Sequence, residues 1–123
     1  MNKNTICVHT GTHIDPMLKG ATTPIHTSTA IAYLDMEEKR YPRYFNTPNQ
    51  ESVIKKVAQL EGAETGVLFG SGMAAISTAL LSQLKQGDHV VLQKELYGGT
   101  ISFVQGEFPR YGVEFSFSEG MGV

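Results

Sequence analysis

Two short stretches of this sequence carry residue types suited to holding an anion. In Gly66–Ala79, the apolar run Val67-Leu68-Phe69 leads through Gly70-Ser71-Gly72 into a helical pattern beginning at Met73. The first N–H groups of a helix have no intrahelical acceptor, and the helix dipole places partial positive charge beside them. Glycines let that backbone approach a phosphate with no Cβ in the way. The pattern predicts a phosphate cradle where a strand turns into a helix. The second stretch is Tyr41-Pro42-Arg43. Pro42 fixes its own φ and biases Tyr41 toward extended backbone, and residues two apart on an extended segment project the same way. A phenol and a guanidinium projected together would clamp a phosphate, the arginine giving charge and the tyrosine one directed hydrogen bond. A surface turn with aromatic packing is the plainer reading, and these residues alone favour it.

Other constellations are weaker. His9 and His13, with Cys7 just before, have a spacing that metal ligands use. Gly11 lies between them and no helical pattern surrounds them, so solvated histidines and no metal site are expected. Gly70-Ser71-Gly72-Met73-Ala74-Ala75 satisfies G-x-G-x-x-A, the relaxed dinucleotide pattern, and Glu95 stands near the place of an acidic ribose ligand. A Rossmann-like NAD(P) domain is therefore one reading. That motif usually opens its domain, however, and here an arm and an amphipathic helix precede it. No Gly-Lys-Ser/Thr follows Gly72, which removes a P-loop. Ser71 lies in Phe69-Gly70-Ser71-Gly72-Met73, which is not the G-x-S-x-G of a hydrolase elbow.

The elements that must position these residues follow from periodicity and punctuation. Residues 1–32 show little periodicity and read as an extended arm with turns, of a kind that needs another surface to order it. Thr47-Pro48-Asn49-Gln50 is a helix start with a capping box, Val53, Ile54, Val57 and Leu60 mark one face, and Gly62 closes the helix. A helix from Met73 to about Lys85 follows the cradle, with Gly87 as its stop. Val90-Val91-Leu92 reads as a buried strand and Leu96-Tyr97-Gly98-Gly99-Thr100 as a glycine turn. A helix carrying Ile101, Phe103 and Val104 runs to Pro109, and Val113–Phe117 alternates as a strand. From Gly66 the order is strand, helix, strand, helix, strand, an α/β pattern with a mostly parallel sheet. Both glycine turns follow strands, so they are expected on one rim, where ligands of such sheets sit.

Composition limits the classes. The chain has 123 residues, 41% hydrophobic and 18% charged, with a net charge of −2. That is ordinary for one globular domain. It supplies no basic field for nucleic acid and no polybasic membrane signal. No apolar run approaches the roughly 18 residues of a spanning helix. One cysteine excludes an internal disulfide framework. A soluble cytoplasmic protein is expected. A sheet of about three strands needs more cover than one helix layer and an arm provide, so a fragment of something larger is expected.

From Tyr41 to Thr100 the sequence resembles the pyridoxal-phosphate (PLP) enzymes of cysteine and methionine metabolism, the group of cystathionine γ-synthase, cystathionine lyase, methionine γ-lyase and O-acetylhomoserine sulfhydrylase. The resemblance rests on Tyr41-Pro42-Arg43 with Asn46, Leu60-Glu61-Gly62-Ala63, Ser71-Gly72-Met73-Ala74-Ala75, Gly87-Asp88-His89-Val90-Val91 and Leu96-Tyr97-Gly98-Gly99-Thr100. Val8-His9-Thr10-Gly11 and Thr23-Pro24-Ile25 look like the family's N-terminal segment. The resemblance implies that backbone N–H groups of Ser71, Gly72 and Met73 bind the cofactor phosphate. It implies that Tyr97 stacks on the pyridine ring as the catalytic aromatic, and that Tyr41 and Arg43 reach a neighbouring subunit's phosphate. It also implies the fold-type I, aspartate-aminotransferase-like α/β domain, with residues 1–48 as an inter-subunit arm and residues 49–123 as the start of the PLP-binding domain. A homo-oligomer, a dimer of dimers, is implied, with a small amino acid as substrate. The reaction class is β- or γ-elimination or γ-replacement on cysteine, cystathionine, methionine or an activated homoserine.

Three departures bear on these expectations. The family's Asn-Pro-Thr stands here as Asn46-Thr47-Pro48. Gly99 stands where methionine γ-lyases carry cysteine. None of the seven lysines lies in the family's Ser-x-Thr-Lys setting, and Lys94, the nearest to the site, reads as a solvated strand-end residue. The chain is thus expected to hold the phosphate site without the Schiff-base lysine. A non-catalytic binding module made from a truncated copy is the remaining alternative.

Overall fold

The computed structural model describes residues 2–120. The chain divides into two compact units, Met1–Leu68 and Phe69–Val123.

The first unit opens on a helix rather than an extended strand of arm. Asn2 caps it, its Oδ1 accepting from the N–H of Thr5 at 2.9 Å and from the Thr5 hydroxyl at 2.8 Å, and α1 covers Lys3–His9. A cap and one buried apolar residue, Ile6, suffice because α1 packs on a second helix, α2 (Pro48–Glu61). So short a helix would not persist alone, which is why the sequence shows no periodicity for it.

Between α1 and α2 the arm has no helix or strand until a single 3-10 turn at Pro42–Tyr44. Side chains tie it to α2 instead. Thr23 Oγ1 accepts from the N–H of His13 at 3.0 Å and meets Ser52 Oγ at 3.2 Å. Asn49 accepts from the N–H of His26 at 2.9 Å and donates to the Pro24 carbonyl at 2.7 Å. Gly11 makes the closest approach: at φ +72° a Cβ there would lie 2.5 Å from the Ser52 carbonyl oxygen. Gly11→Ala is therefore expected to lift the arm off α2. Limited proteolysis should then cut between residues 10 and 30 at least tenfold faster than in the unaltered chain, since backbone atoms cannot yield as a side-chain tip can.

The start and stop of α2 follow the sequence. Gln50 Oε1 accepts from the Thr47 N–H at 3.1 Å and the Thr47 hydroxyl at 2.8 Å, and Gly62 closes the helix at φ 70°. Its apolar face is not covered, however: Val53 and Val57 are 49% and 51% exposed.

In the second unit α3 (Gly72–Gln83), β1 (His89–Gln93), α4 (Gly98–Glu107) and β2 (Glu114–Ser118) follow in order. β1 and β2 pair in parallel with Val90 opposite Phe115 and Leu92 opposite Phe117. These four residues pack with Leu80 of α3 and Leu84 just after it against the buried centre, Val104, Phe108 and Val113. This is the α/β arrangement that the alternation of strand and helix predicts. Four local expectations are corrected. Val67–Phe69 is not a strand, because the sheet among the described residues has two strands and neither pairs with it. A lone extended segment has no ladder to join. Gly98-Gly99 is not a turn but the first turn of α4. α3 ends at Gln83, short of Lys85, where the Asp88 carboxylate takes the Lys85 N–H at 2.9 Å. The last helix gives way at Phe108 to a 3-10 turn, Phe108–Tyr111, because Pro109 cannot continue the α-helical ladder.

Candidate functional site

Ser71 is extended, φ −156° and ψ 158°, and its hydroxyl accepts from the Ala74 N–H at 3.1 Å. Its carbonyl accepts from the Ala75 N–H at 3.1 Å. The N–H groups of Gly72 and Met73, the first two of α3, lie ahead of any intrahelical acceptor. Nothing lies within 4 Å of where a Gly72 Cβ would stand, and Ser71 and Gly72 are exposed. The cradle is open to solvent and has two backbone donors to offer.

The start of α4 comes to the same place. The Tyr97 carbonyl accepts from Thr100 N–H at 2.8 Å and Ile101 N–H at 3.2 Å, which leaves Gly98 and Gly99 as the leading donors of that helix. Met73 joins the two helix starts. Its Sδ is 3.8 Å from the buried Thr100 hydroxyl, and it would be 3.4 Å from a Cβ on Gly99. The two glycine segments therefore share one rim, although no strand precedes the first and the second is helix rather than turn.

Tyr97 stands on this rim, 72% exposed. Its ring lies over Gly99 so closely that a Cβ there would be 2.7 Å from Cε1. Gly99 leaves room for one edge of the ring, Cδ1 and Cε1, close to the backbone, a role the sequence shows only as a glycine doublet. A flat, accessible aromatic face beside four leading N–H groups suits a planar ligand that carries an anionic group.

Tyr41 and Arg43 lie in the first unit, and their expected geometry is corrected. Tyr41 is extended, φ −154° and ψ 135°, but Pro42–Tyr44 turns as a 3-10 helix and Phe45 is left-handed at φ 55°. Arg43 is therefore not on the same side of a strand as Tyr41. The aromatic packing of the plainer reading is present: the Tyr41 and Tyr44 rings meet edge to face at 5.4 Å. Asn46 holds the turn, its Oδ1 accepting from the Tyr41 N–H at 2.9 Å. Arg43 is exposed and makes no ion pair or hydrogen bond among the described residues. Arg40, which the sequence reading passed over, is the structural arginine. It binds Glu51 at 2.7 Å, Glu38 at 3.1 Å and the Asn46 carbonyl at 2.6 Å. Its place in the charged run Glu37-Glu38-Lys39-Arg40 hid that role, and its distance of eleven residues from Glu51 gave no local signal. His9 ends α1, and His13 packs edge-on against His26 with ring centres 6.0 Å apart.

The family model for Cys/Met metabolism PLP-dependent enzymes matches residues 4–122. The chain belongs to this family. Over 119 residues it is 33% identical to cystathionine gamma-lyase of Bacillus subtilis, covering 95% of this chain and 31% of the relative. It is 32% identical over 111 residues to the cystathionine gamma-synthase/O-acetylhomoserine (thiol)-lyase of the same organism, covering 89% of this chain and 30% of that one. The crystal structure of metB from Corynebacterium glutamicum superposes with a TM-score of 0.88 at 33% identity, over 97% of this chain and 32% of that one. The chain thus spans about a third of the length of these relatives. The fold is accordingly the first part of the family's α/β domain, and the relatives are trans-sulfuration enzymes. Membership in a PLP-dependent family displaces the Rossmann reading of Gly70–Ala75, whose fingerprint also requires a paired strand that Val67–Phe69 does not form. Family members act on small amino acids. Among the described residues, no helix is long and apolar enough to cross a membrane.

Proposed function

We propose that this chain forms the phosphate-holding part of a cytoplasmic, homo-oligomeric PLP enzyme that eliminates or replaces groups at the β or γ carbon of a sulfur amino acid or activated homoserine. The observation that carries the reading is the convergence of the α3 and α4 starts around Met73, with an exposed tyrosine ring beside them. The donor set fits the cofactor: backbone N–H groups suit a phosphate, the absent Gly72 side chain leaves room for it, and Tyr97 offers a face for a pyridine ring. When bound, PLP supplies the electron sink for chemistry at the substrate α carbon.

The chain's own residues bind and orient. Gly72 and Met73 donate N–H groups to phosphate oxygens, with the Ser71 hydroxyl at the mouth of the cradle. Tyr97 stacks, and Gly99 fixes where its ring lies. Tyr41 and Arg43, exposed on the arm, are assigned to the phosphate of a neighbouring subunit. Residues 1–48 are the inter-subunit arm and residues 49–123 begin the cofactor domain.

Gly72→Pro isolates the cradle. Proline suits the first helical position, and Ser71 is already in the extended conformation that a following proline requires. The substitution removes one donor and leaves the helix. A hydrogen bond to a charged group is worth roughly 1.5–3 kcal/mol, so PLP affinity by equilibrium dialysis should fall about tenfold or more with an unchanged circular dichroism spectrum. Unchanged affinity would remove the cradle from the site.

A further inference from the structure

Thr100 is the one buried polar residue among the described residues, 4% exposed. A helical threonine commonly returns its hydroxyl to a carbonyl of the preceding turn. In the third position of α4, the Thr100 hydroxyl instead donates to Met73 Sδ of α3 at 3.8 Å. A thioether is a weak acceptor, and a valine would fill the same volume with no hydroxyl to satisfy. Packing alone gives no reason for the hydroxyl; the sulfur it reaches does.

Met73 has a side chain with three rotatable bonds, so its sulfur keeps one place only where something holds it. The Thr100 hydroxyl holds it beside Gly99. The point where a Gly99 Cβ would stand is 3.4 Å from that sulfur, and 2.7 and 3.2 Å from Cε1 and Cδ1 of Tyr97. Sulfur and ring edge therefore border the same small gap, and a thioether attracts an aromatic edge. The ring depends on such support, since Tyr97 is 72% exposed.

We propose that Thr100 and the Met73 side chain are positioning residues: the hydroxyl orients the thioether, and the thioether fixes where the Tyr97 ring stands relative to the α3 start. This rests on the cofactor reading above and deepens it. There the Met73 N–H meets the phosphate; here its side chain sets the span from phosphate to ring. The pair thus serves a ligand that carries both a phosphate and a planar ring, and adds nothing for phosphate alone.

Thr100→Val tests this in the 123-residue chain, with Thr100→Ser as the rescue that returns the hydroxyl. Equilibrium dialysis should show PLP affinity about fivefold weaker in Thr100→Val, with inorganic phosphate affinity unchanged. Thr100→Ser should restore the parent value for PLP. A purely structural threonine predicts equal losses for the two ligands, and either that result or unchanged PLP affinity would overturn the proposal. The ligand-free chain gives a second measurement that needs no change at a buried position. With the methionine methyl groups labelled for NMR, Tyr97→Leu should shift the Met73 signal by removing the ring current and leave the other methionines in place. A Met73 signal indifferent to Tyr97→Leu also overturns the proposal. A parent chain that shows this shift yet binds no PLP keeps the seat of the ring and overturns the cofactor reading instead.

Discussion

Supplied with PLP and L-cystathionine, the purified chain is expected to release thiol no faster than PLP free in buffer. The reaction needs a lysine amine that holds the cofactor and moves the α proton. The family resemblance places it in a Ser-x-Thr-Lys setting that none of the seven lysines here occupies. Lys94 follows β1 and is the lysine nearest Tyr97 in sequence, yet its ammonium is held by Glu119 at 3.1 Å with the side chain 65% exposed. That pairing keeps it at the solvent edge. A thiol assay with Ellman-type detection measures the outcome. Turnover that follows the chain through purification and disappears with Lys94→Ala would place the base within these residues and overturn the division of labour proposed here. A binding module without chemistry shares the cradle and predicts the same null turnover. Fusion of the chain to the part of metB outside the matched third separates the two, because only the enzyme reading gains activity there.

Phe108→Ala should unfold the second unit. Phe108 and Val104 are fully buried, and with Val113 they are the centre on which both helices and the sheet pack. The Phe108 ring meets Phe103 at 5.7 Å and Phe115 at 6.5 Å, both edge to face. Phe→Ala in a core costs about 3–5 kcal/mol, and a small domain has little more than that in total. Among the described residues, no side chain other than Val104 is as fully buried. Thermal unfolding by circular dichroism should show loss of the cooperative transition, and the cradle should be lost with it because α3 and α4 are held together through this centre. A variant that melts within a few degrees of the parent would show that the sheet and helices are supported elsewhere.

Much of the architecture was legible because its signals are local. Thr47, Pro48 and Gln50 lie within four residues and mark the α2 start, and Gly62 marks its end. Val90 and Leu92 alternate as a strand must, and Phe115 and Phe117 do the same on the paired strand. Other features were illegible for equally physical reasons. α1 exists through its contact with α2, a relation between residues more than forty apart. Gly98-Gly99 reads as a turn in any local scheme, yet two glycines open α4 because the Tyr97 carbonyl accepts from the Thr100 and Ile101 N–H groups and Phe103 and Val104 hold the helix on the core. At Tyr41–Arg43, proline was read as extending the chain, whereas it also suits the first position of a 3-10 turn, and Asn46 decides between them.

The sequence by itself determined the family and the α3 start at Gly70-Ser71-Gly72, because a helix start, a serine cap and a glycine without Cβ act through neighbours in the chain. Only the tertiary structure decided that the α4 start lies beside that of α3, that Tyr97 lies on Gly99, and that Arg40 is structural while Arg43 has no side-chain partner among the described residues. It also showed Val53 and Val57 uncovered. Each of these depends on distances between residues far apart in sequence, which periodicity and capping chemistry do not encode.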